Sequence, residues 1–316
     1  MESYYEPDDR WEIYGITTKE QFEQQFVVKG FFHEGVPMDV KDAFTTVEYL
    51  QAHAYYFWPM YDEAFNKALR LLEMAIKQKA KLLKIPLNNK SFDKLINEIC
   101  KESYNERLKN ALHRARKIRN NQVHAETNSY SGAMAGKGNN IEFFVTILNE
   151  LFRDDSWMIS QYEQQQAIQE QIRTFENSLL ILENNSPGIL ISGILGFRYF
   201  NESLFLVCNP VLKNTKQALE EYKYSTPIAI ELSKIQFQEN ILSGISTDGN
   251  AIKIYITNKA ENLIQLNKHK EEISSVSQTN REIYKSYMNN EASWSLMKLE
   301  YNHLSKNLNQ LCPSPN

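Results

Sequence analysis

The chain has 316 residues, 42% of them hydrophobic, and a formal net charge of -4, enough to bury a substantial core and, by length, to form two domains or one with large additions. An acidic balance excludes a generally basic nucleic-acid coat protein, so any contact with RNA has to be local. Cys100, Cys208 and Cys312 are isolated, with no Cys-x-x-Cys and no histidine spacing suited to zinc, which fits a reducing compartment and no bound metal or cofactor.

No segment reaches the apolar length of a bilayer span, and Met1-Glu2-Ser3-Tyr4-Tyr5-Glu6 is acidic and polar where a signal peptide is basic and then apolar. The expectation is a soluble, cytoplasmic protein. Residues 1–40 are aromatic-rich and irregular, with Phe26-Val27-Val28 and Phe31-Phe32 broken by Gly30, Gly35 and Pro37. They predict a short strand or two lying against helices. Asp39 or Asp42 is the candidate cap for the next helix, whose stripe of Val47, Leu50, Ala54 and Phe57 is interrupted at Pro59.

From Tyr61 to Lys84 the apolar positions Phe65, Ala68, Leu69, Leu72, Ala75, Ile76 and Leu83 recur at helical spacing, and Pro86 ends the pattern. Glu73 and Lys77 stand i, i+4 on this helix, the spacing of a surface salt bridge. Ser91 opens a short helix, and Tyr104 or Asn105 begins a basic one with Leu108, Ala111, Leu112, Ala115 and Ile118 as its buried stripe. This helix also carries Lys101, Arg107, Lys109, Arg114, Arg116, Lys117 and Arg119 against only Glu102 and Glu106. The spacing predicts a cationic ridge that ends at Arg119-Asn120-Asn121-Gln122-Val123-His124. Asn120-Asn121 reads as a helix end, from which the backbone can bring Arg119 and His124 to one surface. Arg107 and His113 repeat the residue types but fall on roughly opposite faces of one helix.

Residues 125–140, rich in Gly, Ser and Asn, predict a loop beside this motif, and Gly136-Lys137-Gly138 fails the P-loop order. Ile141 to Phe152 is helical by its pattern, Arg153-Asp154-Asp155-Ser156 breaks and recaps, and a further helix is predicted to about Glu183. Ile168, Ile172, Phe175, Leu179 and Leu182 alternate four and three apart on it, a short coiled-coil-like seam that needs a partner helix, internal or from a second subunit. After Ser186-Pro187-Gly188 the texture turns to strands. Ile189–Phe197 and Leu204–Val207 form a hairpin across Asn201-Glu202, with further strands at 228–232, 235–237 and 252–256 and a tight turn at Asp248-Gly249. Helices follow from about Ala260, ending in a frayed Pro313-Ser314-Pro315 tail.

Arginine offers a planar fork of donors to a phosphate, and histidine can take and give a proton near neutral pH. Together they suit RNA cleavage without a metal. Arg119-Asn120 followed by His124 resembles the R-polar-x-x-x-H signature of the HEPN superfamily (higher eukaryotes and prokaryotes nucleotide-binding). Ala68–Lys77 is similar to that family's long helix with its Glu-x-x-x-Lys/Arg element, here Glu73 and Lys77. The resemblance covers about residues 40–185.

The flanks are not covered by the resemblance; with them the pattern along the chain reads as α+β in three parts, an irregular segment over 1–40 packed on the HEPN-like helical bundle over 41–185, and a smaller mixed strand-and-helix domain over 186–316, which the resemblance implies would act as sensor or partner-binding module. The resemblance implies a metal-independent endoribonuclease, acting as a toxin or in anti-phage defence, with His124 as general acid/base, Arg119 stabilising the phosphorane, and Asn120, Glu73 and Lys77 in support. It further implies a homodimer with a composite site at the two-fold axis. Arg114, Arg116 and Lys117 are candidates for RNA-backbone contacts or a plain solvated face. The reading from another class is a non-catalytic HEPN-like scaffold that binds a nucleic acid or a protein, with His124 a capping or core histidine. Cys100 with His113 or His124 lacks the context of a nucleophile.

Overall fold

A computed structural model describes residues 4–88, 90–123, 134–176, 178–184 and 188–311. The chain divides into two compact units, Met1–Met158 with Tyr301–Asn316, and Ile159–Glu300. The change of texture near residue 186 falls inside the second, between its first two strands. Among the described residues no helix is long and apolar enough to cross a membrane.

The first unit is helical. A 3-10 helix, Asp9–Tyr14, is followed by α1 (Lys19–Phe26), α2 (Met38–His53), α3 (Met60–Leu82), α4 (Phe92–Ile99), α5 (Glu106–Val123) and α6 (Met134–Leu151). The unit also holds the start of α7 (Asp155–Glu176) and the end of α10 (Gln278–Leu311). Helix α3 packs on α2, α4 and α6, and α5 on α4 and α6. Ser91 caps α4 through the Lys94 amide, and Asp154 accepts from the Trp157 amide at 2.8 Å to start α7.

From Ile141 to Glu150 every residue of α6 is buried, including Glu142, Thr146, Asn149 and Glu150. A helix buried all round has no solvated face on which to leave polar groups, so these need partners inside. Thr146 turns its hydroxyl to the Glu142 carbonyl, Asn149 donates to the carbonyls of Phe31 and Val145, and Glu150 meets Arg107.

Three local expectations are corrected in this unit. Among the described residues the N-terminal forty contain no strand: Asp8 and Thr18 cap helices instead, and Trp11, Phe22 and Tyr55 join a buried aromatic cluster. The stretch from Val28 to His33 is strand-like in sequence, but four of its amides go to side chains. Val28 donates to Gln51 at 3.1 Å, Lys29 to the Tyr301 hydroxyl at 3.0 Å, Gly30 to Glu48 at 2.8 Å and His33 to Asn149 at 3.0 Å. Every backbone donor needs a partner, and here helices supply it without a neighbouring strand. Gly30 lies so close beneath Phe44 that a Cβ would come within 2.5 Å of its ring. Helix α2 begins after Pro37 with no side-chain cap, so neither Asp39 nor Asp42 fills that role. Helix α6 begins at Met134, so the predicted loop does not reach residue 140; its remainder, 125–133, lies outside the described residues.

The second unit corrects the fold class. In place of the expected α+β arrangement with a smaller mixed strand-and-helix domain, six antiparallel strands close into a barrel. They are β1 (Leu180–Glu183), β2 (Ile189–Phe200), β3 (Ser203–Pro210), β4 (Ile228–Gln238), β5 (Ile241–Ser246) and β6 (Ala251–Ile256), each paired with the next in sequence, and β6 returns to β1 through Leu180↔Ile256 to Glu183↔Lys253. Leu180, Leu182, Leu204, Leu206, Cys208, Leu232, Ile252 and Ile254 alternate along the strands into one core. Helices α8 (Thr215–Glu220), α9 (Ala260–Ser275) and the first part of α10 complete the unit.

Two errors of period hid the barrel. Leu179-Leu180-Ile181-Leu182 is a continuous apolar run, which periodicity cannot assign to helix or strand, and it forms β1 beyond the end of α7 at Glu176. The two predicted strands at 228–232 and 235–237 are one, β4, with a bulge between Ser233 and Gln236 where Lys234 has φ 48°. The bulge shifts the inward register from Leu232 to Ile235 and Phe237. The predicted seam is likewise internal: Ile172 and Phe175 of α7 are buried with the barrel core, and Ile168 packs against it. That seam therefore offers no free apolar face to a second subunit.

Candidate functional site

The sequence motif places its side chains on α3 and α5. Helix α5 carries the buried stripe of Leu108, Leu112 and Ala115, and Arg119 lies beyond it, about one-third exposed. The Arg119 guanidinium donates to Glu73 Oε2 at 3.3 Å and to Asn120 Oδ1 at 3.3 Å. Glu73 also receives Lys77 Nζ at 2.7 Å. The Lys77 hydrogen bond, reinforced by the charges of Lys77 and Arg119, holds the Glu73 carboxyl below its ordinary pKa against the opposing effect of burial. The four residues Glu73, Lys77, Arg119 and Asn120 thus form one connected polar cluster that ties α5 to α3.

Helix α5 continues to Val123, so Asn120-Asn121 is not the helix end that was to bring Arg119 and His124 to one surface. Asn120 keeps helical geometry and spends its side chain on Arg119. His124 lies outside the described residues.

The cationic ridge dissolves into separate contacts. Arg107 pairs with Glu150 at 2.7 Å, Arg116 with Asp93 at 3.1 Å, and Arg114 lies over the Phe143 ring at 5.2 Å. His113 faces Asn97 and Asp93 across α4. Lys117 is exposed. A helix wedged between α4 and α6 has little solvated face, so most of its arginines turn inward to partners.

Two clefts open in the same unit. One, of about 710 Å³, is lined by α3, α4 and the start of α5; the other, of about 1220 Å³, lies beside residues 29–35. Lys79 and Arg153 line both. His33, in the second cleft, is held neutral in one tautomer: Gly35 N–H donates to Nδ1 at 3.0 Å, and Nε2 then donates to the Asn149 carbonyl at 2.9 Å. Burial lowers its pKa further. The sequence reading passed over Lys79 as one of several lysines on a helix face and took Arg153 for part of a helix break. Nothing in their local spacing marks them as cleft-lining residues, because the clefts are assembled from elements distant in sequence.

The thiols of Cys100 and Cys208 are buried and pushed up to about 12 by that burial, which leaves them inert as nucleophiles. Among the described residues no group of three His, Cys, Asp or Glu is placed to hold a metal. Comparison with family models, with curated proteins and with solved structures returned no match.

Proposed function

We propose that the chain is a metal-independent endoribonuclease of HEPN type, acting as a toxin or in anti-phage defence. The observation that supports this reading is the contact of Arg119 with Glu73, itself held by Lys77, which is the coupling of motif helix to long helix that the resemblance implies. Arg119 needs a fixed direction to stabilise charge on a phosphorane, and a carboxylate anchored at its far oxygen supplies one. Asn120 steadies the same guanidinium. His124 takes the proton of the 2′-OH or gives one to the leaving oxygen, a contribution of roughly a hundred to ten-thousand-fold. One histidine carries one proton, so a second copy of the motif across a homodimer axis would supply the other half of the acid-base pair.

The test is cleavage of total RNA and of end-labelled oligonucleotides by the purified chain in EDTA. Products ending in a 2′,3′-cyclic phosphate, lost by at least roughly a hundredfold in both Arg119→Ala and His124→Ala, support the assignment. An Arg107→Ala/His113→Ala control that loses as much would refute it.

A second reading, a non-catalytic HEPN-like scaffold, is favoured by α5 remaining helical through Val123 and by the inward turn of Arg107, Arg114 and Arg116. RNA bound but left intact in the same assay selects it.

A further inference from the structure

We infer that an exposed apolar strip of the first unit, formed by Tyr5, Ile13, Tyr14 and Phe57 and rimmed by carboxylates, docks a segment of another protein in which cationic and apolar side chains alternate. The inference does not rest on the nuclease reading, which concerns α3 and α5.

The strip exists because the aromatic cluster beneath it is already full. Trp11, Phe22, Tyr55 and Tyr61 are buried there, and Trp58 packs on Trp11 with 4.4 Å between ring centres. The 3-10 helix Asp9–Tyr14 has three residues per turn, so positions three apart share an edge. Trp11 and Tyr14 turn towards Trp58, Arg10 and Ile13 share the next edge, and Asp9 and Glu12 share the last. Ile13 is thereby left 82% exposed, beside Tyr5 at 82% and Phe57 at 56%.

These side chains form one surface. Tyr5 stands on Tyr56 at 6.2 Å, Phe57 and Trp58 come next in the chain, and Tyr14 lies 5.9 Å from Trp58. Asp8 fixes the arrangement: its amide donates to the Tyr55 carbonyl at 2.9 Å, and its carboxylate accepts from the Trp58 amide at 3.0 Å. Large apolar side chains gathered on a surface, rather than scattered over it, mark an interaction site, and aromatic residues carry much of the energy at such sites.

Charge selects the occupant. Residues 4–26 carry six carboxylates against Arg10 and Lys19, a net charge of -4, as large as that of the whole chain. Asp8 is spent on Arg10 and Glu23 on Lys19. Glu6, Asp9, Glu12 and Glu20 are exposed, and no cation pairs with them among the described residues. The rings here already take cations: Arg10 lies 5.2 Å over Trp58, and Lys19 lies 5.8 Å over Tyr56. Tyr5 and Phe57 offer further faces to an incoming guanidinium. The same rim repels nucleic acid, anionic lipid and a second copy of this acidic chain. Neither of the two clefts is lined by these residues, and an open apolar strip with a charged rim is the layout of a protein interface.

Fluorescence polarisation on the full chain, with a labelled peptide that alternates arginine and leucine, tests this. The peptide should bind, and its affinity should fall at least about tenfold between about 0.05 and about 0.5 M salt. The same peptide with glutamate for arginine should not bind. Glu6→Gln/Glu12→Gln/Glu20→Gln and Ile13→Ser/Phe57→Ser should each weaken the arginine peptide by about tenfold. An equal neutralisation elsewhere, Glu239→Gln/Glu261→Gln/Glu271→Gln, should leave the affinity within about twofold. The reversal Glu6→Lys/Glu12→Lys/Glu20→Lys should transfer binding to the glutamate peptide, a gain that mere loss of fold does not produce. An arginine peptide that does not bind, strip variants that bind it like the parent, remote variants that lose as much, or a reversed strip that still prefers arginine would each overturn the site. So would a labelled short RNA whose binding the strip variants weaken.

Discussion

Arg107 on α5 and Glu150 on α6 meet at 2.7 Å, and Glu150 keeps only 4% of its side chain exposed in doing so. A carboxylate that deep has no water to fall back on when its partner is removed. Arg107→Ala should cost about 2 kcal/mol in urea unfolding, somewhat below the usual penalty because Arg107 keeps some contact with solvent. The double substitution Arg107→Leu/Glu150→Leu should recover more than half of that loss. A single variant as stable as the parent would show that the pair is not what holds α5 to α6.

Glu73 is a different case, since it and its two charged partners, Lys77 and Arg119, are all partly exposed. Glu73→Gln should cost less than about 1 kcal/mol at neutral pH. Its folded pKa lies below the ordinary value of 4.5, so its contribution is fully present above that value and is lost as pH falls through the folded pKa. The stability difference between parent and Glu73→Gln should therefore vanish on acidification below pH 4.5. Under the nuclease reading the same substitution lowers kcat more than it raises KM, because it frees the direction of Arg119. A pure KM effect would move Glu73 out of any positioning role.

His33 and His269 should make the protein sensitive to mild acid. Burial is the largest cause of a lowered pKa in both, and His269 is also engaged with the Thr215 hydroxyl at 2.6 Å. The unfolded chain then binds protons that the folded chain refuses, so stability is complete above the unfolded histidine value of about 6.5 and declines as pH falls towards the folded values. Thermal midpoints recorded from pH 7.5 to 5.0 should fall, and His269→Gln should flatten part of the slope. A flat profile across that window in the parent would contradict the burial argument.

How far this chain could be read depended on whether the deciding chemistry was local. The stripe Phe65–Ile76, the Ser91 cap and the recapping at Asp154 are set by neighbours three or four residues away, and the structure has them where the spacing predicts. The turns at Asn201-Glu202 and Asp248-Gly249 were legible for the same reason. Strand β5, with Ser243, Gly244 and Ser246 among its six residues, has weak local character and exists because β4 and β6 flank it. The amides of Val28, Lys29, Gly30 and His33 were claimed by Gln51, Tyr301, Glu48 and Asn149, up to 272 residues away. Within the motif, the Glu73–Lys77 pair was legible as i, i+4, whereas the helical course of Asn120 was not.

The β2–β3 turn offers a stabilising change. Asn201 and Glu202 both have positive φ, 45° and 63°, the geometry of a two-residue turn that favours Asn-Gly. Asn201 suits its position; Glu202 carries a Cβ where one is unfavourable. Glu202→Gly should gain about 0.5–1 kcal/mol, after the entropy that glycine adds to the unfolded chain. A rise in the thermal midpoint checks it, and a fall would mean that the Glu202 side chain holds the turn by other means.

The pairing of β6 with β1 has a consequence for synthesis. Five of the six strand pairings join sequence neighbours and can form as the chain emerges, but the sixth closes the ring and waits for Ile256. Until then the nascent sheet carries two open edges at once, β1 and β5, each a template for pairing with another chain. A ribosome stalled before residue 251, or a protease cut in the Asp248-Gly249 turn followed by loss of the downstream piece, would release a sticky, half-closed sheet. The short interval of translation that delivers β6 is therefore the period in which this chain most needs a chaperone.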